Sequence, residues 1–143
     1  MDRRIVNRII MGLLKLGIAP GDTYLLTIPG RITGNDHSVP VVLVEEGNNR
    51  WLVAPYGVVD WVKNARASGS LNISHRKWSE DFAILELPAE ESARVLKKYL
   101  EQNPITKPYF DARVDSARDE FVKEARSRPV FELIKVEAGR DEE

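Results

Sequence analysis

Gly30-Arg31-Ile32-Thr33-Gly34 places a cation and a hydroxyl between two glycines. Glycines let a backbone bend until its N–H groups converge on an anion, and arginine grips phosphate through two parallel hydrogen bonds. The same five residues are compatible with a plain polar hairpin loop, because one Gly-Arg-x-Thr-Gly is not specific. Further along, W-V-K-N-A-R-A carries Trp61, Lys63, Asn64 and Arg66. Lys63 and Arg66 lie three apart and share a helical face, so they can meet a phosphate, an acidic tail or solvent. An amide such as Asn64 beside an apolar stripe needs partners and should pin either the preceding loop or a ligand. Trp61 suits a core position or the wall of a ligand site. His75-Arg76-Lys77-Trp78 is the densest basic cluster, fitted to an anionic partner or to a solvated hairpin tip. Lys107-Pro108-Tyr109-Phe110-Asp111 sets two aromatics in a connection, where they can line a pocket or plug a barrel end. The chain has no cysteine and only two histidines, His37 and His75, so thiolate chemistry is absent and a zinc centre is not expected. No acid–base pair or nucleophile constellation is evident.

The elements that must position these residues follow from hydrophobic period and turn chemistry. Residues 2–16 predict a helix, with Ile5, Ile9, Leu13 and Leu16 on one stripe. Strands are expected over 23–28, 40–45 and 50–54, the last two joined by the hairpin turn Glu46-Gly47-Asn48-Asn49. Asp60 is the expected N-cap of a helix reaching Ala67. Strands over 71–74 and 81–87 flank the basic turn, a helix covers 89–102 and a shorter one 116–126. A last strand spans 131–136, before a charged tail over 137–143. Short turns between successive strands point to antiparallel pairing. The expected class is α+β, mainly β: a small barrel of about six mostly antiparallel strands with helices packed outside it.

At 143 residues, 43% hydrophobic and 30% charged, the chain reads as one soluble domain over 1–143. A net charge of -1 provides no global case for nucleic-acid binding. The apolar run near the N-terminus falls short of the ~20 residues a membrane span needs, so a cytoplasmic location is expected. The Arg-bearing first helix can pack on the barrel or touch an anionic membrane surface peripherally.

Loop, strand, turn and tryptophan helix together resemble the deazaflavin-dependent nitroreductase family, split β-barrel oxidoreductases that bind coenzyme F-420. The family's loop usually reads Gly-Arg-Lys-Ser/Thr-Gly, then Arg, then a Pro opening the next strand. Arg31, Thr33 and Pro40 match, Ile32 replaces the lysine, and His37 stands near the arginine. The family's W-Y-x-N-L-x-A is matched by Trp61, Asn64 and Ala67, after a turn shortened to Val58-Val59-Asp60. The resemblance implies that Arg31, Thr33, Lys63 and Arg66 hold the anionic part of F-420. It implies that Ala54, Tyr56, Gly57, Trp61 and Asn64 frame the ring, with turn amides bonding the pyrimidine carbonyls. It implies hydride transfer to an apolar electrophile: a quinone, an activated C=C bond or a nitro compound. Tyr56 or Tyr109 is the candidate proton donor. A flavin mononucleotide (FMN) oxidoreductase and a non-catalytic barrel carrying a fatty acid are the alternatives, and both monomer and homodimer are compatible with the family.

Overall fold

Alternation of side chains along each strand builds two apolar layers in this computed structural model, which describes residues 23–136. The expected helix over 2–16 and the tail over 137–143 lie outside the described residues. Along β3 (Asn49–Val53), Leu52 points into the barrel while Trp51 and Val53 point out. β6 (Val130–Lys135) repeats the pattern, with Phe131 and Leu133 inside and Val130 outside. A period of two makes one strand serve both layers.

The strands close into an antiparallel barrel in the order β1-β2-β3-β6-β5-β4. β1 is Thr23–Pro29, β2 Asp36–Glu46, β4 Ser70–His75 and β5 Trp78–Glu86. The interior is filled by Leu26, Ile28, Leu43, Leu52, Ile73, Phe82 and Phe131, as expected for so narrow a barrel. Helix α1 (Asp60–Ser68) adds Val62 and Ala65 to that core. The outer layer packs Val44, Trp51, Val53 and Val130 against helix α2 (Ala89–Gln102) through Leu96, Tyr99 and Leu100. Phe110 and Phe121 complete it, the latter from helix α3 (Arg118–Ala125). Glu46 ties α2 to the barrel by accepting from Arg94 Nη1 at 2.7 Å, with Lys98 Nζ at 3.4 Å. These two cations, Arg94 foremost, hold its carboxyl below the usual carboxylate range. The contact therefore supports the fold above that range and fades as pH falls through the lowered value.

The expected β2 starts at Pro40; the observed strand starts at Asp36, so His37 lies in the ladder opposite Ile28. A proline cannot donate to a ladder, so its place inside a strand needs a free side. Here β2 pairs with β1 over Asp36–Val42 and with β3 only over Leu43–Glu46. The two-residue turn makes Glu46 and Asn49 a bonded pair, and main-chain groups alternate sides along a strand. Pro40 and Ser38 therefore face the β3 side beyond the end of the β3 ladder, where a missing N–H costs no ladder bond. This divergence of β2 from β3 opens the barrel wall.

Asp60 is not the N-cap. Val59 holds that position and Asp60 is the first helical residue, its carboxylate directed towards Arg31. The β4–β5 turn contracts to Arg76-Lys77, with Arg76 at φ 57, in the left-handed region disfavoured for a side-chain-bearing residue. Arg76→Gly is expected to raise stability by about 1 kcal/mol by relieving that strain, read as a higher urea midpoint. An unchanged midpoint would show that the turn carries no such cost.

Candidate functional site

Where β2 leaves β3, the wall opens into a cavity of about 1040 Å³. All six residues from His37 to Val42 line it. A strand face would offer alternate residues; consecutive ones mean that the strand's edge borders the space. Opposite stand Tyr56, Val59, Trp61 and Asn64 from the β3–α1 turn and α1. The remaining wall is Tyr99 and Asn103 at the end of α2, with Thr106 and Tyr109 on the following 3-10 helix, Pro104–Tyr109. Volumes of this order suit cofactor-sized ligands.

The Gly30–Gly34 loop stands at one end, folded on itself. Gly30 N–H donates to Asn35 O at 2.8 Å, and Gly34 N–H to Gly30 O at 2.9 Å. Those two amides are spent within the turn, so they do not form the anion-binding nest expected of the glycines. Gly34 is required by its φ of 81. At Gly30 a Cβ would come 2.6 Å from His37 Nε2, so a larger residue there would displace the exposed His37 ring. Arg31 and Thr33 of the loop and His37 of β2 border the cavity, so side chains, not these two amides, are the groups that can meet an anion there.

Asn64 fixes the cation. Its side chain is buried, and Oδ1 accepts from the Arg31 backbone N–H at 3.0 Å and from Arg31 Nη1 at 2.8 Å. Asp60 Oδ1 stands 3.7 Å from Arg31 Nη2. One amide on α1 thus anchors both the backbone and the guanidinium of a loop 33 residues away.

Ala54 and Gly57 support the site from beneath rather than lining it. Ala54 is fully buried in the barrel core, and its N–H donates to Pro129 O at 3.0 Å. Gly57 N–H goes to Ala54 O and Val59 N–H to Gly57 O. The turn amides expected to meet a ring's carbonyls are therefore occupied within the chain at these three positions. Lys63 and Arg66 also lie away from the cavity. Arg66 makes a bidentate pair with Glu86 at 2.9 and 2.8 Å, which raises the guanidinium pKa, and so braces α1 on β5. Trp61 serves two roles, lining the cavity and packing on Phe131 with ring centroids 5.9 Å apart. The His75–Trp78 turn lies at the opposite end of β1 from the glycine loop and does not line the cavity. Of the aromatic pair, Phe110 is buried in the outer layer against Tyr99 and Tyr109 lines the cavity; neither plugs the barrel.

Tyr56 and Tyr109 meet edge to face, ring centroids 4.8 Å apart. Behind them Tyr99 is nearly fully buried, and its phenol is pushed well up from the usual range, chiefly by burial and further by Tyr56. Tyr99 belongs to the site but reads in sequence as one more apolar position of α2. Ser38, Val39 and Thr106 also line the cavity, and no motif in the sequence marks them. Among the described residues no group of three or more His, Cys, Asp or Glu could hold a metal ion. No described helix is long and apolar enough to cross a membrane.

The barrel recurs in solved structures. An F420-H2 dependent reductase (FDR-A) superposes with a TM-score of 0.55 at 22% identity, covering 78% of this chain and 93% of its own. A chain described as a domain-swapped dimer gives 0.59 at 22% identity, covering 92% and 95%. A FAD-binding protein from Mesorhizobium loti gives 0.52 at 10% identity, covering 96% and 91%. At these identities the likeness establishes the split-barrel fold. No curated protein matches the chain. Residues 9–117 match the family described as F420H(2)-dependent quinone reductase, a span holding the loop, the cavity and the site tyrosines Tyr56, Tyr99 and Tyr109. The chain belongs to that family, and is an oxidoreductase that uses coenzyme F-420.

Proposed function

We propose that this oxidoreductase passes hydride from reduced F-420 to an apolar electrophilic acceptor, a quinone or a comparable activated C=C or nitro compound. The observation that carries this reading is the cavity's polarity. A cation-bearing loop closes one end and apolar or aromatic side chains form the walls. The residues suit the coenzyme. Val39, Val59, Trp61 and Tyr56 offer flat apolar surface to a ring, while Arg31, Thr33 and His37 offer donors to a phosphate. The Pro40–Ser38 edge of β2 supplies main-chain carbonyls beyond the β3 ladder for polar ring atoms.

Bound reduced F-420 supplies the hydride from its deazaflavin ring. The chain does the rest. Arg31 holds negative charge, and Asn64 keeps that guanidinium aimed at the cavity. Trp61 and the valines exclude water, which strengthens the polar contacts inside. A phenol hydroxyl of Tyr56 or Tyr109 donates the proton that accompanies hydride onto a quinone, and is reprotonated from solvent.

Titration with oxidised F-420, and separately with FMN, tests coenzyme choice through ligand fluorescence. Oxidation of reduced F-420 by menadione then tests the acceptor. F-420 binding with menadione turnover is expected; F-420 binding without reduction of any quinone would overturn the acceptor class. Ile32 is 84% exposed at the cavity rim, where the family usually carries lysine. Ile32→Lys is expected to tighten F-420 binding up to about fivefold, since an exposed ion pair contributes up to ~1 kcal/mol. The gain should shrink in high salt. The domain-swapped dimer among the similar structures supports a homodimer, which light scattering would read directly.

A further inference from the structure

We infer that Glu124 and Arg128 are positioning residues that set the Tyr56–Tyr109 pair at the cavity wall, and so govern acceptor binding. The inference rests on the acceptor reading above. A carboxylate in the outer layer of a small domain is costly unless every lone pair is used. Glu124 is 4% exposed. Its Oε1 accepts from the N–H groups of Asp111 at 3.0 Å and Ala112 at 2.9 Å. Its Oε2 faces Arg128 Nε at 3.5 Å, a distance that leaves this buried nitrogen with an ion pair but no hydrogen bond. The Arg128 guanidinium donates through Nη2 to the Tyr109 carbonyl and lies over the Phe110 ring, 5.5 Å from its centroid. Main-chain groups of Tyr109, Asp111 and Ala112 are thus held by one ion pair.

The same stretch reaches the other tyrosine. Pro129 O accepts from Ala54 N–H, and Ser127 O lies 3.5 Å from where a Gly57 Cβ would stand. Residues 127–129 therefore bridge the turn that carries Tyr56 and the segment that carries Tyr109. The two rings approach to 4.8 Å across that bridge and line the cavity together. Arg31 is held by Asn64 and Asp60, whereas the Tyr109 segment is held by Glu124 and Arg128, so the two ends of the cavity rest on different contacts.

The test compares wild type with Glu124→Gln and Arg128→Lys, alone and in a Tyr109→Ala background. The measurements are F-420 Kd, menadione kcat and KM, and fluorine NMR of fluorotyrosine-labelled protein. The expected result is a rise in menadione KM of about tenfold and a fall in kcat, because the displaced pair holds the proton donor, with F-420 Kd within about threefold of wild type. In the Tyr109→Ala background the further rise should vanish, because effects routed through one contact are not additive. The Tyr56 and Tyr109 resonances should move in both the Glu124→Gln and the Arg128→Lys variant. Additive KM effects, or unchanged tyrosine resonances in folded variants, would overturn the inference. Should Arg128→Lys fail to fold, Glu124→Gln, which keeps an acceptor for both amides, carries the comparison. If wild type binds F-420 yet reduces no quinone, the acceptor reading fails. The tyrosine resonances still decide whether the Glu124–Arg128 ion pair sets the two rings.

Discussion

Asn64→Leu is expected to weaken F-420 binding at least tenfold and to lower stability by about 1–3 kcal/mol. The stability loss follows from the Arg31 backbone N–H, which would lose its buried acceptor while leucine fills much the same volume. The affinity loss follows from the guanidinium, which would lose the 2.8 Å bond that directs it into the cavity. Arg31→Ala separates the two effects. It removes the guanidinium but keeps the N–H to Asn64 contact, so affinity should fall by a similar factor with little change in urea midpoint. A charge-assisted bond to phosphate contributes roughly 1.5–3 kcal/mol, equivalent to about 10- to 150-fold in Kd. Equal stability losses in both variants would show that Asn64 acts only through the side chain of Arg31. Unchanged F-420 affinity in both would remove the glycine loop from the coenzyme site.

The parts of this molecule that were legible in sequence are those governed by neighbours along the chain. Leu52 between Trp51 and Val53 announces a strand with two buried faces. The α2 stripe of Val95, Leu96, Tyr99 and Leu100 announces an outer helix, and its observed limits, Ala89–Gln102, are those the period predicts. Asn64 beside an apolar face announced a buried amide with work to do, and the loop is what it pins. What escaped depends on partners distant in sequence. Arg66 reads as a free cation until the barrel brings Glu86 beside it. Ala54 reads as a turn amide open to a ligand until Pro129 arrives from the α3–β6 connection. Pro40 reads as the start of a strand, because one-sided pairing is a property of the closed sheet and not of the residue. Glu124 lies in a polar, short helix where burial has no local signature.

A shared geometry explains why the cavity lies where it does. A closed barrel has no free strand edge to offer a ligand. β2 escapes that limit by changing partners at Val42, and its edge from His37 onward borders the cavity. Pro40 within this edge lacks the donor that would recruit another strand, which keeps the opening from closing on itself. The Val58-Val59 connection then leads into α1 at Asp60 near the gap, placing Trp61 and Asn64 on its far wall.

Glu124→Leu is expected to be the most destabilising single change in the outer layer, at about 3–5 kcal/mol. Truncating one partner of a buried, hydrogen-bonded ion pair leaves the other charge without compensation. Here it also strips the Asp111 and Ala112 N–H groups of their acceptor. The exposed Lys123–Glu120 pair one turn away supplies the control, because its removal should shift stability by less than about 1 kcal/mol. The double variant Glu124→Leu/Arg128→Met should recover part of the loss, since it removes both charges and keeps apolar volume against Phe110. Full recovery would mean that the ion pair is replaceable by packing. Its place in the protein would then be explained by the tyrosines it aligns and not by stability. No recovery would assign the cost to the two orphaned amides, making Glu124 principally a cap for the segment that carries Tyr109. A Glu124→Leu urea midpoint indistinguishable from wild type would show that the buried contacts of this carboxylate contribute nothing net, and that the segment is held by Phe110 alone.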